Sequence, residues 1–244
     1  NQPLPRGAPY ACINATTGEE IWRVDGLMRG SDWGGRGLIG DSILVKIDTY
    51  NVQLYAVGKG PSATKVEASP SVSTYGAGSI LVTGRVTDIS PGTNDYRIAA
   101  RFPDGVPAVS DDSMSQWMTY VYKNLPKPID ATGVDVTIYV LDPNNNYYKV
   151  AETTSDATGF YKATFTPEVP GEYVVIAKFD GTNSYYGSSS QTAIVVEDVA
   201  DDKPGPTESP PSTVEQYFWV AVAAIIAVIV ICFIITILLF RKKE

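Results

Sequence analysis

Apolar and polar residues alternate along most of the chain between residues 79 and 197, and alternation with period two is the pattern of a half-buried strand. Val134-Asp-Val-Thr-Ile-Tyr-Val-Leu141 is the clearest case, followed by the turn cluster Asp142-Pro-Asn-Asn-Asn146 and a returning strand over 147–154. Ser155-Asp-Ala-Thr-Gly159 turns the chain into a strand over 160–166, where Phe160, Ala163 or Thr164, and Phe165 compete for the inward face. Residues 172–179 and 191–196 predict two further strands, and 79–90 supplies a leading one. Turn signals every 8–12 residues predict a β-sandwich. Residues 91–133 then form an insertion into it.

The period changes to that of a helix once in this region. Met114, Trp117, Met118, Val121 and Tyr122 fall at i, i+3, i+4, i+7 and i+8, one face of a helix. Ser110-Asp-Asp112 offers an N-cap with acids in the first turn, and Pro126 and Pro128 stop the helix. This stripe either packs on the sandwich or forms a docking face for a partner, since Met and Trp are common at interfaces.

Near the end the alternation gives way to an unbroken apolar run. Tyr217–Phe240 carries no charge over 24 residues. As a helix it is about 36 Å long, enough to cross a hydrocarbon layer of roughly 30 Å. Tyr217, Phe218 and Trp219 sit at one end, and Arg241, Lys242 and Lys243 follow the other. The positive-inside rule then predicts a single-pass plasma-membrane protein with residues 1–216 outside and the 241–244 tail in the cytoplasm. A cleaved lipid-anchor signal is the alternative, and the terminal basic cluster argues against it. Residues 199–216 are rich in Pro, Ser and acid. They read as an extended stalk reaching up to roughly 50 Å, with Asp201 and Asp202 as solvated charges. There is no initiator Met and no secretory leader in the sequence, so the chain is expected to be the C-terminal part of a longer precursor.

Composition then removes chemistry rather than adding it. The chain has no His and two Cys, Cys12 and Cys232, one far from the apolar run and one inside it. His-activated nucleophiles, His-ligated metals and an internal disulfide are thereby excluded. Setting aside Arg241, Lys242, Lys243 and Glu244, the 19 basic and 27 acidic residues fall to 16 and 26, a net charge of −10 outside the membrane run. Nucleic acid is not an expected partner.

The first 60 residues have a pattern of their own. Tyr10-Ala-Cys-Ile-Asn-Ala-Thr-Thr-Gly-Glu-Glu-Ile-Trp22 reads as strand, turn, strand, and 42–48 with 52–58 as a hairpin across Thr49-Tyr-Asn51. The stretch from Ala11 to Trp22, and Leu54-Tyr-Ala56, resemble the pyrroloquinoline-quinone-like β-propeller repeat. The match amounts to about one blade where a propeller needs four or more, and it implies no quinone. Phe179-Asp-Gly-Thr-Asn-Ser-Tyr-Tyr-Gly-Ser-Ser189 and Glu172-Tyr-Val-Val-Ile-Ala177 resemble the last strands of immunoglobulin-like modules in archaeal and bacterial surface proteins. The whole order is similar to that of archaeal surface proteins.

The expected fold is therefore mainly β. A partial propeller blade (1–60) precedes an immunoglobulin-like sandwich (61–198) with its helical insertion, the stalk, and one transmembrane helix. The expected role is a non-catalytic binding, adhesion or envelope-structural module, with the bilayer as one partner through 217–240 and a protein or glycan as another. The alternatives are the anchoring end of a larger propeller enzyme or sensor, and a subunit whose blade completes another chain's propeller. No cofactor, metal or catalytic residue is expected. Asn14-Ala-Thr16 is an N-glycosylation sequon in a predicted turn. Asp111 and Asp112, and Asp142 with Asn144 to Asn146, are oxygen-rich, but helix capping and turn formation account for them. Gly34-Gly-Arg-Gly37 lacks the Lys-Ser/Thr of a phosphate loop and reads as a connection.

Overall fold

A computed structural model describes residues 9–24, 37–49 and 52–198, and further on 217, 218, 222–229 and 231. The expected stalk, the Gly34 to Arg36 stretch and most of the apolar run lie outside these residues. The chain divides into two compact units, Asn1–Val199 and Ala200–Glu244. The first is mainly β.

The chain opens with two small antiparallel sheets. Strands β1 (Tyr10–Ile13) and β2 (Glu20–Val24) pair across a turn in which Gly18 takes a φ of 78°. Strands β3 (Leu38–Gly40), β4 (Ile43–Asp48) and β5 (Gln53–Val57) form a meander with Leu44 opposite Val57 and Asp48 opposite Gln53. Both expected hairpins are present. β3 was not anticipated, because three residues are too few to show a period.

Next come β6 (Ser62–Ser69), β7 (Val72–Thr74) and β8 (Ile80–Asp88). The insertion holds helix α1 (Tyr96–Arg101), the two-residue strand β9 (Val106–Pro107) and helix α2 (Asp111–Lys123). Strands β10 (Asp135–Leu141), β11 (Tyr147–Thr154), β12 (Phe160–Phe165), β13 (Gly171–Gly181) and β14 (Tyr186–Glu197) complete the unit. They build a five-stranded sheet in the order β11-β10-β13-β14-β7, and a four-stranded one in which β8 lies between β12 and β6 and also pairs with β9. Among these named strands only the β14–β7 pairing is parallel, and an isolated parallel bridge joins Gly60 to Tyr185.

One core lies between these sheets. β10 contributes Val136, Ile138 and Val140; β13 contributes Tyr173, Val175, Ala177 and Phe179; β8 contributes Ile80, Val82 and Val86. Each is a period-two set, and burying one such aliphatic side chain is worth about 1.5–3 kcal/mol.

Several details differ from expectation. The leading strand of the two-sheet body is β6, ahead of 79–90. β14 begins at Tyr186, so the serines lie inside the last strand rather than before it. The two departures share a cause: Ser62 Oγ donates to the Tyr186 carbonyl at 2.6 Å and meets Ser188 Oγ at 2.8 Å, and Thr64 Oγ1 meets Ser188 Oγ at 2.7 Å. This margin is sealed by hydroxyls, so it has no apolar signature. On β12 the core residues are Tyr161 and Phe165, with Phe160 only half-buried. Helix α1 is a second helix of the insertion, capped by the Asp95 carboxylate accepting from the Arg97 N–H.

In the second unit residues 217, 218, 222–229 and 231 are helical. Among the described residues no helix is long and apolar enough to cross a membrane. Ile225, Ile226, Val228, Ile229 and Ile231 are each more than half exposed.

Candidate functional site

Helix α2 forms with its acids in the first turn and Lys123 in the last, both favourable to the helix dipole. It ends at Asn124, in the left-handed conformation at φ 54°, before either proline is reached. Ser110 holds the N-cap position without capping. Its hydroxyl is shared with Ser113 Oγ at 3.0 Å and Thr132 Oγ1 at 2.8 Å.

The five residues of the apolar stripe all meet other parts of this chain. Trp117 and Val121 are 2% exposed and join Ile98, Val106 and Val109 in a second core. Met114 packs against both that core and the main one. Met118 and Tyr122 cover Val24 and Leu44, together with Tyr10, Trp22, Tyr55 and Val57 from the N-terminal strands. One helix thus fastens the short sheets and the insertion to the two-sheet body. Asp111 completes the attachment, its carboxylate accepting from the N–H groups of Asn183 and Ser184 at 3.0 Å each. Burial alone would raise its pKa, but those hydrogen bonds outweigh it and hold the carboxyl below its ordinary value.

A group of polar side chains collects where the C-terminal end of α2 meets β4 and β5. Lys123 Nζ forms an ion pair with Asp48 Oδ2, the two side chains being 12% and 2% exposed. The same ammonium lies 4.5 Å from the centre of the Tyr55 ring. On the body side, Asp88 accepts from the Ser90 N–H at 2.7 Å, and Tyr185 Oη lies 3.5 Å away, long for a hydrogen bond. Burial raises the Asp88 carboxyl above its ordinary value, against the pull of Ser90 and Tyr185. Burial first, and then the nearby Asp88 charge, raise the hydroxyls of Tyr122 and Tyr185.

An acid with a raised pKa between two phenols is a combination seen in proton-transfer sites. Such a group must also come within about 3 Å of a substrate proton. Here Asp88 is 8% exposed and Tyr185 3%. The cluster is packed between secondary-structure elements, which suits it to holding them together.

Lys123→Met keeps the aliphatic stem and deletes the ammonium, breaking the ion pair with the more deeply buried Asp48. Thermal unfolding is expected to show a loss of about 3 kcal/mol. Asp48→Asn is expected to cost less, because Lys123 retains the Tyr55 ring and some access to water. Equal losses would contradict this ordering.

The remaining candidates are turns. Asp142 accepts from the N–H groups of Asn144 and Asn146, and from Asn146 Nδ2, at 2.8–2.9 Å. Among the described residues no group of three or more Asp, Glu or Cys could hold a metal ion. Asn14 Oδ1 accepts from the Thr16 N–H at 2.9 Å and the Thr17 N–H at 3.3 Å, in the exposed turn between β1 and β2.

Asp48, Lys123, Asp88 and Tyr185 were not singled out in the sequence. Asp48 lies on the Leu44 face of β4 by period two, which is a signal of a buried acid once that face is known to be inward. No protein-family model matches the chain, and no curated protein matches it.

Proposed function

We propose that the chain is a membrane-anchored surface module, with residues 1–216 outside the cell and residues 241–244 inside, acting through binding or envelope structure rather than catalysis. The observation that carries this is the uncharged run Tyr217–Phe240 followed at once by Arg241-Lys242-Lys243. The exposure of Ile225, Ile226, Val228, Ile229 and Ile231 supports it, since water penalises five large apolar side chains so close together. The outer module is read as an immunoglobulin-like sandwich. Tyr173, fully buried near the start of β13, donates its hydroxyl to the Val169 carbonyl at 2.9 Å and accepts from the Val169 N–H at 3.0 Å. That contact resembles the tyrosine corner of such sandwiches.

The test is fractionation followed by protease treatment of intact cells. The chain should stay with membranes through an alkaline carbonate wash. External protease should remove 1–216 and spare a tag placed after Glu244. Release by the wash, or protection of 1–216, would overturn the proposal.

A second reading, the anchoring end of a larger β-propeller protein, is favoured by one observation. Leu38, Ile43, Ile47 and Leu54 share the face of the β3-β4-β5 sheet turned away from Leu44, and are 72%, 42%, 48% and 67% exposed. A neighbouring blade would cover them. Intact mass from native membranes separates the readings: a species near 26.3 kDa supports the self-contained module, and a much larger one the propeller.

A further inference from the structure

We infer that Asn14 is an N-glycan acceptor, an inference that rests on the outward placement of residues 1–216. Asn14-Ala-Thr16 is the one Asn-X-Ser/Thr sequence in the chain whose middle residue is not Pro. The structure adds accessibility and a partly fixed geometry. Ala15, Thr16, Thr17, Gly18 and Glu19 are all exposed, and the Asn14 N–H and carbonyl are already paired, with Glu19 and Gly18 at 2.8 Å each. The side-chain oxygen is held by the N–H groups of Thr16 and Thr17. Asn14 is itself partly exposed, and among the described residues neither its Nδ2 nor the Thr16 hydroxyl has a hydrogen-bond partner, so no internal hydrogen bond holds either the atom to be modified or the hydroxyl an oligosaccharide transferase requires.

The position also tolerates a large group. The turn lies at the end of the β1-β2 hairpin opposite Val24, the residue through which the hairpin enters its core. A strand advances about 3.3 Å per residue, which puts the turn roughly 13 Å from that contact. A glycan there leaves the packing of Tyr10, Trp22 and Val24 on α2 intact.

The donor is an oligosaccharide joined through phosphate to a polyisoprenoid lipid, delivered by a membrane transferase on the outer side. Nδ2 attacks the anomeric carbon. The C–N bond forms as the bond from that carbon to the phosphate oxygen breaks, the lipid phosphate or diphosphate leaves with the electron pair, and Nδ2 gives one proton to a base of the transferase. No oxidant or reductant is needed.

The test uses the full chain produced in its native membranes, with mass spectrometry of the tryptic peptide spanning residues 7–23. Most copies should carry sugar mass on Asn14. Asn14→Asp keeps an oxygen for the Thr16 and Thr17 N–H groups but offers no amide, and should lose all of that mass with its thermal unfolding unchanged. Thr16→Ala should lose it too, while Thr16→Ser, which restores the hydroxyl, should retain a measurable fraction. Recovery of the peptide wholly unmodified, in protein whose 1–216 region is shaved by protease on intact cells, would overturn the glycan inference and leave the surface reading standing. An unmodified peptide in protein that external protease cannot reach would overturn both.

Discussion

Gly84→Ala is expected to destabilise the two-sheet body by more than about 3 kcal/mol, the upper end for a forced insertion into a packed interior. Gly84 sits mid-strand in β8, opposite Val66 of β6 on one side and Tyr161 of β12 on the other. An added Cβ would fall on the Lys65 carbonyl oxygen and on the Tyr161 hydroxyl. Neither can yield cheaply. The carbonyl belongs to a paired strand, and the Tyr161 ring is 1% exposed with its hydroxyl donating to that same carbonyl at 2.6 Å. The glycine is there for close approach, not for turning. Tyr161→Phe alone should cost about 1 kcal/mol, the loss of one hydrogen bond. Combined with Gly84→Ala it should recover only part of the loss, because the backbone clash with Lys65 remains. Denaturant unfolding of the four proteins measures the coupling, and full recovery in the double variant would show that the backbone is not the obstacle.

The parts of the fold legible in the sequence are those where one face is apolar and the other is not. β10, β11 and β13 announce themselves, and so do the two N-terminal hairpins, because their turns carry Gly, Asn or Asp between alternating runs. β6 does not, since its inward positions begin with Ser62 and Thr64 and reach an apolar residue only at Val66. Those hydroxyls are buried because Ser188, 124 residues away from Thr64, comes to meet them. No local pattern encodes that encounter. The same limit applies to α2. Periodicity identifies Met114, Trp117, Met118, Val121 and Tyr122 as one face, but period says only that a face is covered, not by what. Here it is divided among three cores, two of them built from chain far away in sequence. The Asp48–Lys123 pair spans 75 residues and is invisible for the same reason. The uncharged run Tyr217–Phe240 is the opposite case. Its signal is local composition, which sequence carries by itself.

Helix α2 thus joins the small N-terminal sheets to the body, and Trp117 anchors the helix in the insertion's own core. It is 2% exposed, with Tyr120 and Phe102 at ring distances of 5.3 and 6.4 Å and Ile98, Val106 and Val109 in the same core. Trp117→Ala is expected to cost about 3–5 kcal/mol, the usual penalty for emptying a site of this size. Trp117→Phe should behave differently. Trp117 Nε1 is buried without a hydrogen-bond partner among the described residues, a state that costs about 1–3 kcal/mol. Phenylalanine loses some packing but removes that donor, so its net cost should stay below about 1.5 kcal/mol. The two variants also differ in where they loosen the molecule. With the tryptophan gone, α2 holds Met118, Tyr122 and Lys123 less firmly against β1–β5. Those strands bury only Val24, Leu44 and Asp48 fully and have little core of their own. Limited proteolysis of the Ala variant should therefore trim residues 1–60 well before 75–198, and faster than in the wild type. Trimming at the wild-type rate, with the same loss of global stability, would mean that the N-terminal sheets are held by contacts other than α2.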